Sequence, residues 1–317
     1  MADNTKKELL FYYESRQNPN GDPGFENQPR LMPDGTIMVT DVRIKRTIRD
    51  YAKNVLGETI FVDYDKDGNP ITADGKAKEI VGSLSGDVMA ELLKKTFDTT
   101  LFGALVPIRA KKSKNADEEV EGSSEKITGP AQFGIGRSVN QVQIINPTIS
   151  GRFVGKEKKG KEQFSTFGKF YSVEYALIKI QGAINSSNLG KYLEDKEITK
   201  KFEENQKKLF DCLWNGTNQL ITRSKYPQRS IFYIEITYDS VIYNDLPMLV
   251  EEKPEMKGRI SSLVKSPFIF DKLISTLKQR KSEIKKIRIK YCDELHEDVQ
   301  DLIKKLKSTG FDVDDMQ

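Results

Sequence analysis

Residues 17–53, QNPNGDPGFENQPRLMPDGTIMVTDVRIKRTIRDYAK, join a loop crowded with turn formers to a helix with two chemically opposite faces. Asn20-Gly21, Asp22-Pro23 and Asp34-Gly35 favour φ > 0 or a fixed φ, so the chain must reverse sharply before the helix starts. Thr40 can cap that helix, and Asp41 suits its positive first turn. At about 100° per residue, Ile44, Ile48, Tyr51, Ala52 and Val55 gather on one side, and Arg43, Arg46, Arg49 and Lys53 on the other. Val42 is the misfit. The apolar side demands a core to rest on. The cationic row is then either a solvated face or a cradle for a phosphate backbone.

At 317 residues the chain holds one core with insertions, or two. No apolar run approaches the roughly 18 residues that span a bilayer, and residues 1–7 lack the apolar stretch of a secretory signal. A cytoplasmic protein without membrane partners is expected. Cys212 and Cys292 are too few for a disulfide framework and are expected reduced and buried. The lone histidine, His296, excludes a multi-histidine zinc site, and no cofactor is expected. The net charge of +4 is modest but unevenly spread: cations concentrate at 43–53, 109–114 and 156–161, and acids at 117–121 and near the C-terminus.

Residues 8–15 (ELLFYYES) read as a strand, leading through the loop to a helix over 41–56. A hairpin around Asp67-Gly68 is expected over 59–72, a short helix over 86–97, and a mobile charged insertion over 109–126. Glycines and β-branched residues at 131–150 predict a strand with a bulge, and 171–184 is apolar enough on both faces for a central strand. A long helix from 199 to about 224 and a strand over 230–238 follow. Strand, helix, strand, strand, helix, strand is the ferredoxin-like order of RNA-recognition folds. The remainder suggests a helix at 271–281, a strand at 286–291 and a helix at 297–307, which either extend the sheet or pack on it.

Two motifs have plainer readings. Asp63, Asp65, Asp67 and Gly68 form D-x-D-x-D-G, the opening of a calcium loop, but Pro70 and strand-like flanks argue for a simple turn. Cys292 and His296 stand four apart yet lack an orienting third group.

The strand followed by NPNGDP, Pro29-Arg30, Gly35 and TDVRIKRTIRDY resembles the backbone subunit of type I CRISPR Cascade complexes, the Cas seven family of the RAMP superfamily, in its type I-B and I-C branches. Leu101-Phe102-Gly103-Ala104, Gly129-Pro130-Ala131-Gln132, Phe167-Gly168-Lys169 and Leu213-Trp214 followed by Arg223 and Arg229 agree in order. The resemblance implies an α+β fold: a ferredoxin-like, RRM-like palm with an antiparallel sheet at 1–56 and 131–240, and an inserted finger-like region at 57–130. It further implies a thumb hairpin at 151–170, with 241–317 as an α/β extension packed on the palm. The implied function is a non-catalytic scaffold that oligomerises along CRISPR RNA with other Cascade subunits. Such a scaffold holds phosphates and leaves bases free to pair with target DNA.

By that resemblance, Arg30, Arg43, Lys45, Arg46, Arg49 and Lys53 meet guide phosphates, as do Arg137 and Ser138 after the glycine-rich strand. The thumb would supply Arg152, Phe153, Lys156, Lys158, Lys159, Lys161, Phe164, Phe167 and Lys169, with one phenylalanine as a wedge between bases. The competing expectation is a type III-like subunit that cuts target RNA with a metal ion and an aspartate of the first loop, Asp22 or Asp34.

Overall fold

The computed structural model describes residues 6–108, 123–146, 148–151 and 166–317. It is a mixed α+β fold on a large, mostly antiparallel sheet. Strand β1 (Lys6–Ser15) sends Leu9, Phe11 and Tyr13 to one side and Leu10 and Tyr12 to the other, and all are buried because both faces are covered. The turn-rich stretch forms β2 (Gly21–Asp22), β3 (Gln28–Leu31) and β4 (Ile37–Val39), and delivers the chain to α1 (Asp41–Asn54). Thr40 caps α1, its side chain accepting from the Arg43 amide.

Helices α2 (Ala73–Val81), α3 (Val88–Lys95) and α4 (Phe97–Phe102) lead into a hairpin of β5 (Gly103–Ile108) and β6 (Ser123–Thr128). Gly103 has φ +79, and a Cβ there would lie 2.1 Å from the Ile127 carbonyl oxygen. Next come β7 (Ala131–Phe133), β8 (Gly136–Ser138) and β9 (Ile144–Ile145), then the paired β10 (Thr148–Gly151) and β11 (Thr166–Lys169), then β12 (Ser172–Val173), β13 (Ala176–Asn185), α5 (Lys196–Asn218) and β14 (Gln228–Tyr238). The C-terminal part contributes α6 (Leu246–Leu249), β15 (Glu251–Glu252), β16 (Phe268–Ile269), α7 (Asp271–Gln279), β17 (Ile284–Tyr291), α8 (His296–Ser308) and β18 (Val313–Asp315).

Among the described residues the main sheet runs β18-β17-β14-β1-β13-β8-β4-β3-β2, with β7 also on β13. Its pairings are antiparallel except β17 with β18. Helices α1, α3, α4 and α5 cover one face through Ile44, Ile48, Leu92, Phe97, Leu213 and Trp214. The C-terminal helices cover the other through Leu246, Leu273, Leu277, Val299 and Leu302, while β17 and β18 widen the sheet. The last segment therefore both extends the sheet and packs on it. No helix among the described residues is long and apolar enough to cross a membrane.

Several expectations change. Residues 59–72 form no strand hairpin, because carboxylates rather than a partner strand satisfy their amides. Asp98 accepts from the Phe61 and Val62 N–H groups, and Asp65 from those of Asp67 and Asn69. Residues 123–126 of the expected mobile insertion lie in β6; 109–122 fall outside the described residues. The strand expected at 131–150 is broken up: β7 and β8 pair with β13, β9 pairs with β12, and β10 begins the hairpin with β11. Helix α5 stops at Asn218, short of the end expected near 224, and Ile221 beyond it is exposed. Cys212 is buried as expected, but Cys292 is only partly so; both are free, and burial pushes each thiol up to about 12.

Candidate nucleic-acid interface

Strand register brings three loops to one end of the sheet. Ser15 pairs with Gln228 on one side and with Ala176 on the other, so the loops after β1, before β13 and before β14 must meet there. The first turn of α1 joins them. Asn20 Oδ1 accepts from both the amide (3.3 Å) and the hydroxyl (3.0 Å) of Thr40, tying the NPNGDP loop to the helix cap. Asn18 N–H donates to the Ser224 carbonyl at 3.0 Å, stitching the first loop to the third. The polar turn residues that marked this loop in sequence are its internal fastenings.

The meeting point is a cavity of about 610 Å³. Arg43 reaches it from α1, Arg223 and Lys225 from the loop before β14, and Phe170 and Tyr171 from the link between β11 and β12. The Arg223 guanidinium lies 5.9 Å from the Phe170 ring centre. Lys225 Nζ donates to the Asn18 carbonyl (2.8 Å), and no described carboxylate stands within ion-pair distance of it. Burial and the neighbouring Arg43 charge pull the Lys225 amine down to about 8. Burial likewise lowers Arg43, against partial relief from Asp50 at 4.0 Å. The carboxylate of Glu26, on the exposed rim, accepts from the Tyr171 hydroxyl at 3.0 Å. Like charges held together in a half-buried pocket are unfavourable alone, and an anion between them relieves both the repulsion and the desolvation.

The structure separates the residues grouped in sequence. Of the α1 row, Arg43 alone lines this cavity. Arg46 is paired with Asp50 and Asp63, and Lys53 with Asp63. Lys45 bonds Asp41 (3.2 Å) and Gln132 (3.0 Å). Arg49 is not on the outer face as expected: it flanks the buried side, its side chain 10% exposed, and its Nε donates to Asp98 at 2.7 Å. Helix α4 packs beside α1 there, and Asp98 draws the guanidinium inward over the Phe102 ring, 5.1 Å away. Arg30 pairs with Asp22 at 3.1 Å.

Arg137 lines a second cavity, of about 550 Å³, and bonds Asp34 at 2.7 Å; the Thr36 hydroxyl and amide, with Arg137, hold the Asp34 carboxyl below its usual range. Ser138 is an internal strut, donating to the Asn140 carbonyl (2.7 Å) and accepting from the Ile37 amide (2.9 Å). Arg152, Phe153, Lys156, Lys158, Lys159, Lys161 and Phe164 lie outside the described residues; Phe167 and Lys169 belong to β11. In the D-x-D-x-D-G motif, Asp63 is taken by the α1 cations and Asp65 by loop amides, and no group of metal-ligating side chains occurs among the described residues.

Sequence reasoning missed Lys225 as a site residue and used Arg223 only as a signpost. The available signal was the cationic turn Arg223-Ser224-Lys225 before Pro227, which acquires meaning only once β14 is known to lie beside β1.

A CRISPR-associated protein Cas7 of Haloferax volcanii is 27% identical over 255 residues, 75% of this chain and 72% of the relative. A chain from a structure described as a CRISPR RNA-guided surveillance complex, pre-nicking, is 10% identical, with a TM-score of 0.49 over 90% of this chain and 92% of that one. One from a Type III-B Cmr-beta complex bound to cognate target RNA gives 0.34, at 10% identity over 71% and 61%. The profile of the CRISPR-associated protein Cas7 family matches residues 4–263, and the chain belongs to that family.

Proposed function

We propose that this chain is the guide-binding backbone subunit of a type I CRISPR surveillance complex, of the I-B or I-C branch, working in the cytoplasm. Copies of it line up along the CRISPR RNA together with other Cascade subunits, hold the strand by its phosphates and leave the bases to pair with target DNA. The ferredoxin-like palm is the part of the sheet formed by β14, β1, β13 and β7/β8 with α1 and α5. The β10–β11 hairpin is the base of the thumb, and residues 57–130 are the finger-like insertion. The observation that carries the reading is the cavity in which Arg43, Arg223 and Lys225 converge with no described carboxylate pairing Lys225. A phosphate is the common anion that such a donor-rich pocket suits.

The cavity cations are the primary contacts. Arg30, Lys45, Arg46, Lys53 and Arg137 are secondary ones that would exchange their present partners for phosphates, and the thumb residues would add further contacts. Arg49 and Ser138 serve the framework. The scaffold role is favoured over cleavage because both candidate carboxylates already have structural work: Asp22 caps the turn at Gly24 and pairs with Arg30, and Asp34 holds Thr36 and Arg137.

The test is binding of guide RNAs of unrelated spacer sequence to the purified chain at several salt concentrations. Similar affinities that fall steeply with salt, and equally weakened by Arg43→Ala with Lys225→Ala, are expected. Loss of only particular sequences would refute backbone reading. Regular cuts in complementary target RNA with magnesium, abolished by Asp22→Ala or Asp34→Ala, would establish the nuclease instead.

A further inference from the structure

A residue in the wall of the cavity assigned above to the guide backbone carries a buried hydrogen-bond acceptor without a partner. Asn18 lines it and is 4% exposed. Its backbone is engaged on both sides, N–H to the Ser224 carbonyl (3.0 Å) and carbonyl from Lys225 Nζ (2.8 Å). Its side-chain Nδ2 donates to the Asn27 carbonyl at 2.5 Å. Only the amide nitrogen can donate to a carbonyl, so this bond orients the side chain and leaves Oδ1 as the free end. Oδ1 is buried and has no donor. Gly21 makes the arrangement possible, since a Cβ there would lie 2.8 Å from the Asn27 oxygen and 3.2 Å from Asn18 Nδ2.

Of the charged groups lining the cavity, Arg43, Arg223 and Lys225 are donors, and the one carboxylate, Glu26 on the rim, already accepts from the Tyr171 hydroxyl. They suit phosphate, which can only accept. Oδ1 needs the opposite. Along a strand whose bases point away, phosphodiester oxygens and the sugar ring oxygen accept, and the one backbone donor is the ribose 2′-hydroxyl, which DNA lacks. We infer that Asn18 Oδ1 accepts a hydrogen bond from a ribose 2′-hydroxyl seated in this cavity, which makes Asn18 the residue that selects RNA over DNA. The inference rests on the RNA-binding reading above and adds sugar specificity to it. A buried acceptor left unpaired penalises the ligand lacking the donor more than a satisfied one rewards the ligand that has it.

The test compares fluorescently labelled oligouridine as RNA, as 2′-fluoro RNA and as the deoxyuridine strand, binding to the purified full chain. The fluoro strand keeps charge and ribose-like pucker but has no donor, so it is the deciding probe. The wild type should bind RNA about five- to tenfold more tightly than 2′-fluoro RNA. In Asn18→Ala that ratio should fall to near one, with folding checked by thermal melting. Lys225→Met should weaken all strands by the same factor and keep the ratio. Equal wild-type affinity for RNA and 2′-fluoro RNA overturns the inference without any variant, as does an unchanged ratio in a folded Asn18→Ala protein. Failure to bind any strand at low salt would instead overturn the RNA-binding reading itself.

Discussion

Replacing Arg49 by methionine distinguishes a bracing charge from a binding one. The arginine side chain is 10% exposed and its Asp98 partner 1%, so the substitution keeps most of the packing volume and strands a carboxylate in the interior. Breaking such a pair typically costs about 3–5 kcal/mol. Asp98 retains the Phe61 and Val62 amides at 2.7 and 3.0 Å, which places the expected loss at the lower end, about 3 kcal/mol. With an unfolding entropy of about 2.1 cal/mol/K per residue over 317 residues, that is a fall of roughly 4–5 °C in Tm for unfolding as one unit. Adding Asp98→Asn should recover part of it by removing the stranded charge. The assay is thermal unfolding of RNA-free protein by circular dichroism, with RNA affinity by fluorescence anisotropy well below the melt. An unchanged Tm together with a tenfold or greater loss of affinity would refute the bracing role and return Arg49 to the guide.

Lys225 should make binding pH-dependent: with its amine near 8, bound phosphate raises it, so affinity holds below about pH 8 and declines above it, and Lys225→Arg should flatten that decline. The RNA-free protein should show the opposite sign. Its folded amine sits below the ordinary lysine value of 10.5, so the unfolded chain binds more protons between about 8 and 10.5, and this group's contribution to stability rises with pH across that window. Arg43→Ala with Lys225→Ala should reduce the slope of log affinity against log salt by about 1.4, the single-strand value for two phosphates; an unchanged slope would remove both from the interface. Gly103→Ala should destabilise by about 3 kcal/mol or more, read as a lowered denaturation midpoint, because the methyl meets the Ile127 oxygen at 2.1 Å in a positive-φ residue. A neutral outcome would mean that the open end of the β5–β6 hairpin, where Gly103 pairs with Thr128, shifts freely.

Elements with strong periodicity were legible from the chain alone. β1, α1, α3, β14, α7, β17 and α8 lie within a few residues of their expected positions, because each has an apolar stripe that a core on one side or both sides claims. The cap at Thr40 was equally readable, since its signal is local. What escaped was set by distant partners. Nothing near 59–72 announces that Asp98 will satisfy its amides, so turn residues there suggested a hairpin. At the site, the cationic row of α1 was visible, but which member faces the cavity was not. Asp63 and Asp98 neutralise Arg46, Lys53 and Arg49 from outside the helix, and Lys225 joins Arg43 only through the pairing of Ser15 with Gln228. Helical phase tells which side of a helix is dry; it does not tell which charges the rest of the molecule will already have answered.

Because β1 is upholstered above and below, the C-terminal segment cannot be trimmed away as an ornament. A chain stopped at Asp239 would bare Leu10, Tyr12, Phe232, Ile234 and Ile236 as one greasy plane and leave β14 with an unpaired rim in place of β17. Such a fragment would clump before it could be assayed, so the smallest workable piece of this protein is nearly all of it.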